Sequence, residues 1–163
     1  MTCIYFLTFC IKPPFSFSTF LFSIYFTMAD LTQENEALLI KYALEAKETA
    51  YVPYSKFRVG AVLLTKDGVW YKGCNVENAS YGATICAERT AFCKAVSEGD
   101  KDFIALGVSS DQNDWVTPCG ICRQFISEFA PSSLPVYLIK ASGAYKKVTL
   151  DDLLPNCFTL PKH

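Results

Sequence analysis

Residues 57–76 read FRVGAVLLTKDGVWYKGCNV and contain two apolar runs separated by the polar triplet Lys66-Asp67-Gly68. The first run, Phe57 to Thr65, has the β-branched and aromatic content that favours a buried strand. The second, Val69 to Val76, has the same character, and a glycine that follows an aspartate is typical of a hairpin turn. This stretch therefore predicts two antiparallel strands joined by a tight turn.

A helix is predicted before this hairpin, from Thr32 to Ala50. Its apolar side chains recur every three or four residues, the spacing of one buried helical face, at Leu38, Leu39, Tyr42, Ala43, Ala46 and Ala50. Thr32 is a favourable N-cap residue, and Pro53 prevents the helix from continuing. We expect one face of this helix to be buried.

Alternating helices and strands are predicted after the hairpin. The helices are expected from about Cys86 to Ser97 and from Pro118 to Phe129. The remaining segments are three strands and a terminal turn, at Phe103 to Ser110, Pro135 to Lys140, Lys146 to Leu150 and Asp151 to Leu154. This order predicts an α/β domain in which helices cover both faces of a mixed, roughly five-stranded sheet, a three-layer α-β-α arrangement.

Composition limits the number of domains and the class of partner. The chain has 163 residues, of which 51% are hydrophobic, enough for one core but few for two ordinary domains. Lys and Arg number 15 against 16 Asp and Glu, a balance that predicts no nucleic-acid partner. The eight cysteines favour metal or redox use in a reducing compartment over a disulfide framework. We therefore expect a cytoplasmic protein that binds a small neutral molecule.

Residues 1–27 differ in composition from the rest of the chain, because they are rich in aromatic side chains and contain no acidic residue. Pro13 and Pro14 divide them into apolar runs shorter than the roughly 20 residues of a transmembrane helix. No basic residues precede an apolar core, as they would in a signal peptide. We expect Met28 to be the working start, residues 28–163 to be the catalytic domain, and no stable membrane anchor. The alternatives are a membrane-associating or targeting segment and a packed extension.

Three cysteines, Cys86, Cys119 and Cys122, stand at the starts of the two central predicted helices. The amide groups and dipole of a helix start favour the thiolate form, which binds metal. Three protein ligands leave the fourth position of a tetrahedral zinc ion open for water, as in catalytic rather than structural sites. The pattern therefore predicts a hydrolytic centre with one zinc ion per chain.

Two charged residues follow Cys86 closely. The only histidine is His163, so a carboxylate must carry protons, and Glu88 is the acid best placed to do so. Arg89 can donate hydrogen bonds to a ligand sulfur and offset the negative charge of the thiolates. These residues extend the predicted zinc site to a reaction centre.

Other interpretations of the cysteines are a redox CxxC pair and half of a structural zinc knuckle at Cys119 and Cys122. A redox pair would not require the upstream sequence Cys86-Ala87-Glu88, and a structural zinc site would need a fourth ligand. Three further cysteines have no metal-ligand spacing and are expected to be small buried hydrophobic residues, namely Cys74, Cys93 and Cys157.

Four motifs together resemble the small, homotetrameric cytidine deaminases: CAE (86–88), PCGICRQ (118–124), NVEN (75–78) and SKFRVGAVL (55–63). The resemblance runs from about Leu31 to Phe158, with the segments in the family's order and spacing. It implies a cytidine deaminase-like fold. It also implies zinc-dependent hydrolytic deamination of cytidine and deoxycytidine to uridine and deoxyuridine plus ammonia, a reaction of pyrimidine salvage.

The resemblance also implies the role of individual residues. Zinc would be bound by Cys86, Cys119 and Cys122, with Glu88 as proton shuttle and Arg89 as the residue that relieves thiolate charge. The substrate-binding residues would be Phe57 on the pyrimidine ring, Asn75 and Glu77 on the ribose 3′-hydroxyl, Ala87 through its backbone, and Ala79, Tyr81 and Phe158 across subunit boundaries of a homotetramer.

Sequence patterns alone would make Phe57 a core aromatic residue and Asn75 and Glu77 ordinary polar residues at a strand end. Within the deaminases, a blasticidin S-type antibiotic deaminase would share the CAE and PCGxCRQ motifs. The NVEN segment with Glu77 favours a nucleoside substrate instead. A polynucleotide-editing enzyme is expected to carry a basic groove with additional aromatic residues, and the sequence after Met28 has neither feature.

Overall fold

The computed structural model describes residues 31–161, which form one compact unit. The predicted segment 1–27 lies outside the described residues. Among residues 31–161, no helix has both the length and the apolar character needed to cross a membrane.

The described residues form a mixed sheet of five strands with the spatial order β2-β1-β3-β4-β5. The strands are β1 Val59–Thr65, β2 Trp70–Cys74, β3 Phe103–Ser110, β4 Pro135–Ile139 and β5 Tyr145–Thr149. Strands β3 and β4 are parallel, and the other neighbouring pairs are antiparallel. The predicted hairpin and mixed sheet are therefore confirmed.

The α-helices of the described residues are α1 Gln33–Ala46, α2 Ala87–Ser97, α3 Gly120–Phe129 and α4 Leu150–Leu153. Short 3₁₀ helices occupy Lys47–Thr49 and Tyr81–Ala83. Side chains of α1 pack in one core cluster with Val62 and Leu64 of β1, whereas α2 and α3 share the other cluster with Ala61 and Leu63. Successive strand residues face opposite sides of a sheet, so helices cover both faces and the expected three layers are present.

A close contact between β2 and α2 fixes the position of the α2 start. A Cβ atom added at Gly73 would lie 2.5 Å from the Ala87 carbonyl oxygen and 2.5 Å from the Ala91 nitrogen. Only glycine leaves room for the helix at this distance. The first turn of α2 is thereby held against the sheet.

Two predicted boundaries were wrong, because side chains of Asn75 and Arg123 bind the carbonyl oxygens of Phe57 and Pro118, which lie just before the strand and the helix. Strand β1 begins at Val59 instead of Phe57, after Lys56, which adopts a positive φ of 58°. Helix α3 begins at Gly120 instead of Pro118, with Cys119 as its N-cap.

Smaller differences occur at other helix and strand ends. Helix α1 ends at Ala46 and continues as a 3₁₀ turn, although Thr32 caps its start as predicted. Thr149 forms a capping box with Asp152, so Leu150 begins α4 and does not extend β5. The expectation of buried cysteines was also wrong, because Cys93 is exposed and Cys74 and Cys157 are half-buried.

Candidate metal and substrate site

The starts of α2 and α3 bring three thiols together on one face of the sheet. Cys86 is the N-cap of α2, Cys119 is the N-cap of α3, and Cys122 lies in the first turn of α3. Their sulfur atoms all lie within 4.8 Å of one another. Among residues 31–161, this is the group of potential ligands found close enough to share a metal ion.

The spacing of these sulfur atoms fits a tetrahedral zinc site. Zinc–sulfur bonds of about 2.3 Å in tetrahedral geometry place two ligand sulfurs about 3.8 Å apart. The Cys86 and Cys119 Sγ atoms are 3.8 Å apart, and Cys122 is fully buried beside them. The three side chains therefore have the chemistry and spacing to bind zinc, and residues 31–161 place no fourth ligand beside them.

Arg89 supplies positive charge next to the thiols. Its Nη2 atom donates to the Thr84 carbonyl oxygen at 2.8 Å and lies 3.6 Å from the Cys86 sulfur. Its Nε atom is the one buried side-chain nitrogen or oxygen of the described residues that lacks a hydrogen-bond partner. Arg89 is half-buried, and a guanidinium with a spare buried donor is suited to a site that gains negative charge.

The pKa values of Cys86 and Cys122 are shifted in opposite directions. A hydrogen bond from Cys122, together with the Arg89 guanidinium, lowers the pKa of the Cys86 thiol to about 5. The same contact with Cys86, together with burial, raises the pKa of Cys122. A metal ion that binds all three sulfurs must therefore displace protons near neutral pH.

Glu88 is a buried carboxyl group in the first turn of α2. Its residue is 3% exposed, and burial, reinforced by the charge of Cys86, raises the pKa of Glu88 to about 7. A carboxyl group with a pKa near neutral can both accept and release a proton during turnover.

The loop of residues 51–58 is held by two buried polar side chains, Asn75 and Glu77, each 8% exposed. Asn75 donates from Nδ2 to the Phe57 carbonyl oxygen at 2.8 Å and accepts the Val59 amide on Oδ1 at 2.8 Å. The Glu77 Oε2 atom accepts amide hydrogens from Tyr54 at 3.0 Å and Ser55 at 3.2 Å. Bonds from Ser55 and Tyr54 lower the pKa of Glu77. Both side chains thus shape the loop that carries Phe57.

A small ladder connects this loop to the metal-ligand segment. Val76 pairs with Tyr51 on one side and with Ile85 on the other. Because Val76 lies between Asn75 and Glu77, and Ile85 precedes Cys86, the predicted substrate residues and metal ligands occupy adjoining segments.

The remaining predicted substrate residues differ in burial. Ala87 is fully buried at the start of α2. Tyr81 is 64% exposed and Phe158 is 68% exposed, and Ala79 is exposed as well. The Tyr81 ring contacts only one described aromatic ring, that of Tyr54, with centroids 6.0 Å apart.

Two residues in the second cysteine motif were given no role by the sequence analysis. Arg123 donates to the Pro118 carbonyl at 2.7 Å, to the Leu153 carbonyl at 2.8 Å and to the Thr117 hydroxyl at 2.8 Å. Gln124 donates to the Phe158 carbonyl at 2.8 Å. Their signal in the sequence was their position directly after Cys122. Arg123 thereby reaches the loop before α3, and Gln124 reaches the backbone of Phe158.

Known proteins and solved structures resemble this chain over most of its length. Residues 33–138 match the family model described as the cytidine and deoxycytidylate deaminase zinc-binding region. A cytidine deaminase of Halalkalibacterium halodurans is 52% identical over 122 residues, which are 75% of this chain and 92% of that protein. The crystal structure of a cytidine deaminase from Burkholderia pseudomallei aligns with a TM-score of 0.73 at 43% identity, covering 78% of this chain and 100% of that chain.

A blasticidin-S deaminase of Bacillus cereus is a more distant relative, 36% identical over 129 residues, which are 74% of this chain and 90% of that protein. The family model spans more than half of the chain, and the relatives match over most of their own length. The chain therefore belongs to the zinc-dependent cytidine deaminase family.

Proposed function

We propose that this chain catalyses the hydrolytic deamination of free cytidine and deoxycytidine to uridine and deoxyuridine, with release of ammonia. One observation carries the proposal: a buried carboxyl group, Glu88, lies in the first turn of α2, two residues after the N-cap Cys86. Glu88 is thereby next to the three clustered thiols. This arrangement combines a metal site that lacks a fourth protein ligand with a proton carrier of near-neutral pKa.

In this proposal Cys86, Cys119 and Cys122 bind one zinc ion. When bound, zinc supplies Lewis-acid activation of water for attack on the cytosine ring. Glu88 takes a proton from the attacking water and delivers protons to the ring nitrogen and to the departing amine. Arg89 stabilises the thiolates, because its guanidinium already lies 3.6 Å from the Cys86 sulfur.

The nucleoside is bound by the loop that Asn75 and Glu77 support. Phe57 packs on the pyrimidine ring, the backbone at Ala87 contacts the base, and Asn75 and Glu77 bind the ribose 3′-hydroxyl. The contacts of Glu77 with the loop are compatible with this role, since both amides bond to Oε2 and a carboxylate has about four lone-pair sites. An acid at this position favours a hydroxyl and disfavours a phosphate.

Deamination of a blasticidin S-type antibiotic is the second candidate, since a relative with that activity shares the family. The buried pair Asn75 and Glu77 favours the nucleoside, because it offers an amide and an acid for a sugar hydroxyl. A redox role for the CxxC pair would leave Cys86 and the buried Glu88 without a purpose.

The working enzyme is proposed to be a cytoplasmic homotetramer of residues 28–163. The six cysteines of the described residues are free, which suits a reducing compartment. Four large apolar side chains are strongly exposed, namely Tyr81, Ile121, Phe158 and Leu160. Exposed apolar surface of this kind is suited to an interface between subunits. In the proposed tetramer, Ala79, Tyr81 and Phe158 complete the site of a neighbouring subunit. Light scattering coupled to size-exclusion chromatography measures the assembly directly, and a monomer would contradict it.

The activity is tested by measuring ammonia release from a panel of cytidine, deoxycytidine, their 5′-monophosphates, a cytosine-containing oligonucleotide and blasticidin S. Cytidine and deoxycytidine are expected to react, and the other compounds are not. Comparable efficiency on cytidine and its monophosphate would contradict the assignment of Asn75 and Glu77. Reaction of blasticidin S alone would favour the second candidate.

A further inference from the structure

Four charged side chains form an ion-pair network beside the substrate loop, outside the zinc site. The Asp111 carboxylate, directly after β3, accepts Lys47 Nζ at 2.8 Å on Oδ1. It also accepts Arg58 in a two-point contact, Nε at 2.8 Å on Oδ2 and Nη2 at 3.0 Å on Oδ1. The Arg58 Nη1 atom contacts Glu48 at 2.6 Å. Asp111 is therefore the centre that joins the 3₁₀ turn, the start of β1 and the end of β3.

This network differs from an ordinary surface ion pair. The Lys47 side chain is only 9% exposed, and those of Asp111 and Arg58 are 33% and 37% exposed. Two-point Arg–carboxylate contacts are both stronger and more directional than single contacts. The Arg58 guanidinium lowers the pKa of Asp111, with Lys47 adding to the effect, so the carboxylate is charged whenever the enzyme works.

Arg58 directly follows Phe57. The contacts of the Arg58 side chain with Asp111 therefore restrain the backbone next to the aromatic ring. Phe57 is half-buried and belongs to neither core cluster of the described residues. Its orientation therefore depends on its backbone, which Asn75 holds from one side through the Phe57 carbonyl oxygen. Asp111, through Arg58, is the second anchor of the same segment.

We propose that Asp111 is a positioning residue for the nucleoside, which acts through Arg58 to hold Phe57 in place over the pyrimidine ring. The inference rests on the proposed role of Phe57 in substrate binding. Loss of the contact between Asp111 and Arg58 weakens binding of the substrate and of the transition state alike, so KM rises while kcat stays unchanged.

The test compares Arg58→Gln with the wild-type enzyme, alone and combined with Phe57→Ala. Arg58→Gln is preferred to Asp111→Asn as the first variant, because it leaves the nearly buried Lys47 paired with Asp111. The matched control is Glu45→Gln, which removes exposed ion pairs to Lys41 and Lys72. Arg58→Lys serves as the conservative variant, since it can keep one ion pair with Asp111.

We expect Arg58→Gln to raise KM for cytidine about fivefold with kcat changed less than about twofold, as loss of uniform binding requires. In the Phe57→Ala background the same change is expected to alter KM by less than about 1.5-fold, because residues that act through one another are not additive. Asp111→Asn is expected to reproduce the KM effect, Arg58→Lys to restore part of it, and Glu45→Gln to leave KM unchanged.

The inference is overturned if Arg58→Gln raises KM equally with and without Phe57, or if Glu45→Gln has the same effect. A raised KM in Phe57→Ala with a normal KM in Arg58→Gln overturns this inference alone. A normal KM in Phe57→Ala overturns both the inference and the proposed role of Phe57, while the zinc chemistry stands.

Discussion

The two halves of the site differ in how completely one chain builds them. The metal half, at the starts of α2 and α3, contains buried Cys122 and Glu88 and is supported by core packing. The substrate half contains a loop held by polar contacts and two strongly exposed aromatic side chains, Tyr81 and Phe158. The folded chain therefore assembles the metal half by itself, whereas in the proposed function substrate binding also depends on loop anchors and on a neighbouring subunit.

The largest expected effect is at the buried thiol. Cys122→Ala is expected to lose zinc and to lower kcat/KM at least about 10³-fold, because two ligands cannot retain a metal that three bind. Metal analysis and a deamination assay measure the two effects. Cys93→Ala, which removes an exposed thiol on α2, is the control and should change neither. Full zinc content in Cys122→Ala would break the assignment of the metal half.

A smaller effect is expected at the charged support of the thiols. Arg89→Ala is expected to lower kcat about 10- to 100-fold, the usual cost of losing an outer-shell partner of a metal ligand. The hydrogen bond with Cys122 and, to a smaller extent, the Arg89 guanidinium lower the pKa of Cys86 to about 5. Removal of Arg89 therefore raises the pKa of Cys86 and lets protons compete with zinc at higher pH.

Zinc affinity of Arg89→Ala should therefore fall more steeply than that of the wild type as pH drops from about 8 to about 6. Competition with a chelator at both pH values measures this difference. Parallel pH dependences in the two proteins would contradict the role of Arg89.

The close packing of α2 on the sheet is expected to contribute to the free energy of unfolding. Gly73→Ala places a Cβ atom 2.5 Å from backbone atoms of Ala87 and Ala91, and overpacking of this kind costs about 1–3 kcal/mol of unfolding free energy. Gly82→Ala is the control, because no atom lies within 4 Å of its added Cβ. Denaturant unfolding compares the two, and equal stabilities would show that α2 shifts without cost.

The smallest expected effect concerns the exposed aromatic residues. Phe158→Ala is expected to raise KM for cytidine about threefold while zinc content and stability stay unchanged, because the ring contributes to binding and not to the core. Val69→Ala, which shortens an exposed apolar side chain next to the β1–β2 turn, is the control. Steady-state kinetics measure the effect, and an unchanged KM would remove Phe158 from the substrate half.

Local sequence patterns were sufficient for most of the fold and for the geometry of the thiol cluster. Strand β3, Phe103–Ser110, has its predicted bounds, because a glycine and charged residues separate it from α2 and a polar loop follows it. The three cysteines were predicted to cluster since each stands at a helix start, and a helix start is recognisable from neighbouring residues alone.

The remaining features depend on contacts that no local pattern encodes. The start of β1 was misplaced because Asn75, 16 residues after Val59 in the chain, binds the Val59 amide. The network around Asp111 joins residues 64 and 53 positions apart, and single charged residues in loops carry no signal of their partners. The exposure of Tyr81 and Phe158 likewise depends on the folded chain, since an aromatic residue in a loop carries no local sign of its burial.

In the proposed mechanism zinc binding and proton transfer are separate tasks of neighbouring residues, and the variant Glu88→Gln separates the two. The amide preserves the shape of the side chain but cannot carry protons. Metal analysis and cytidine turnover are measured on the same preparation, with Glu98→Gln at the end of α2 as control. We expect Glu88→Gln to retain one zinc ion per chain and to lose kcat at least about 10²-fold, so that proton transfer fails while the metal site stays intact. Near-normal turnover with zinc retained would contradict it.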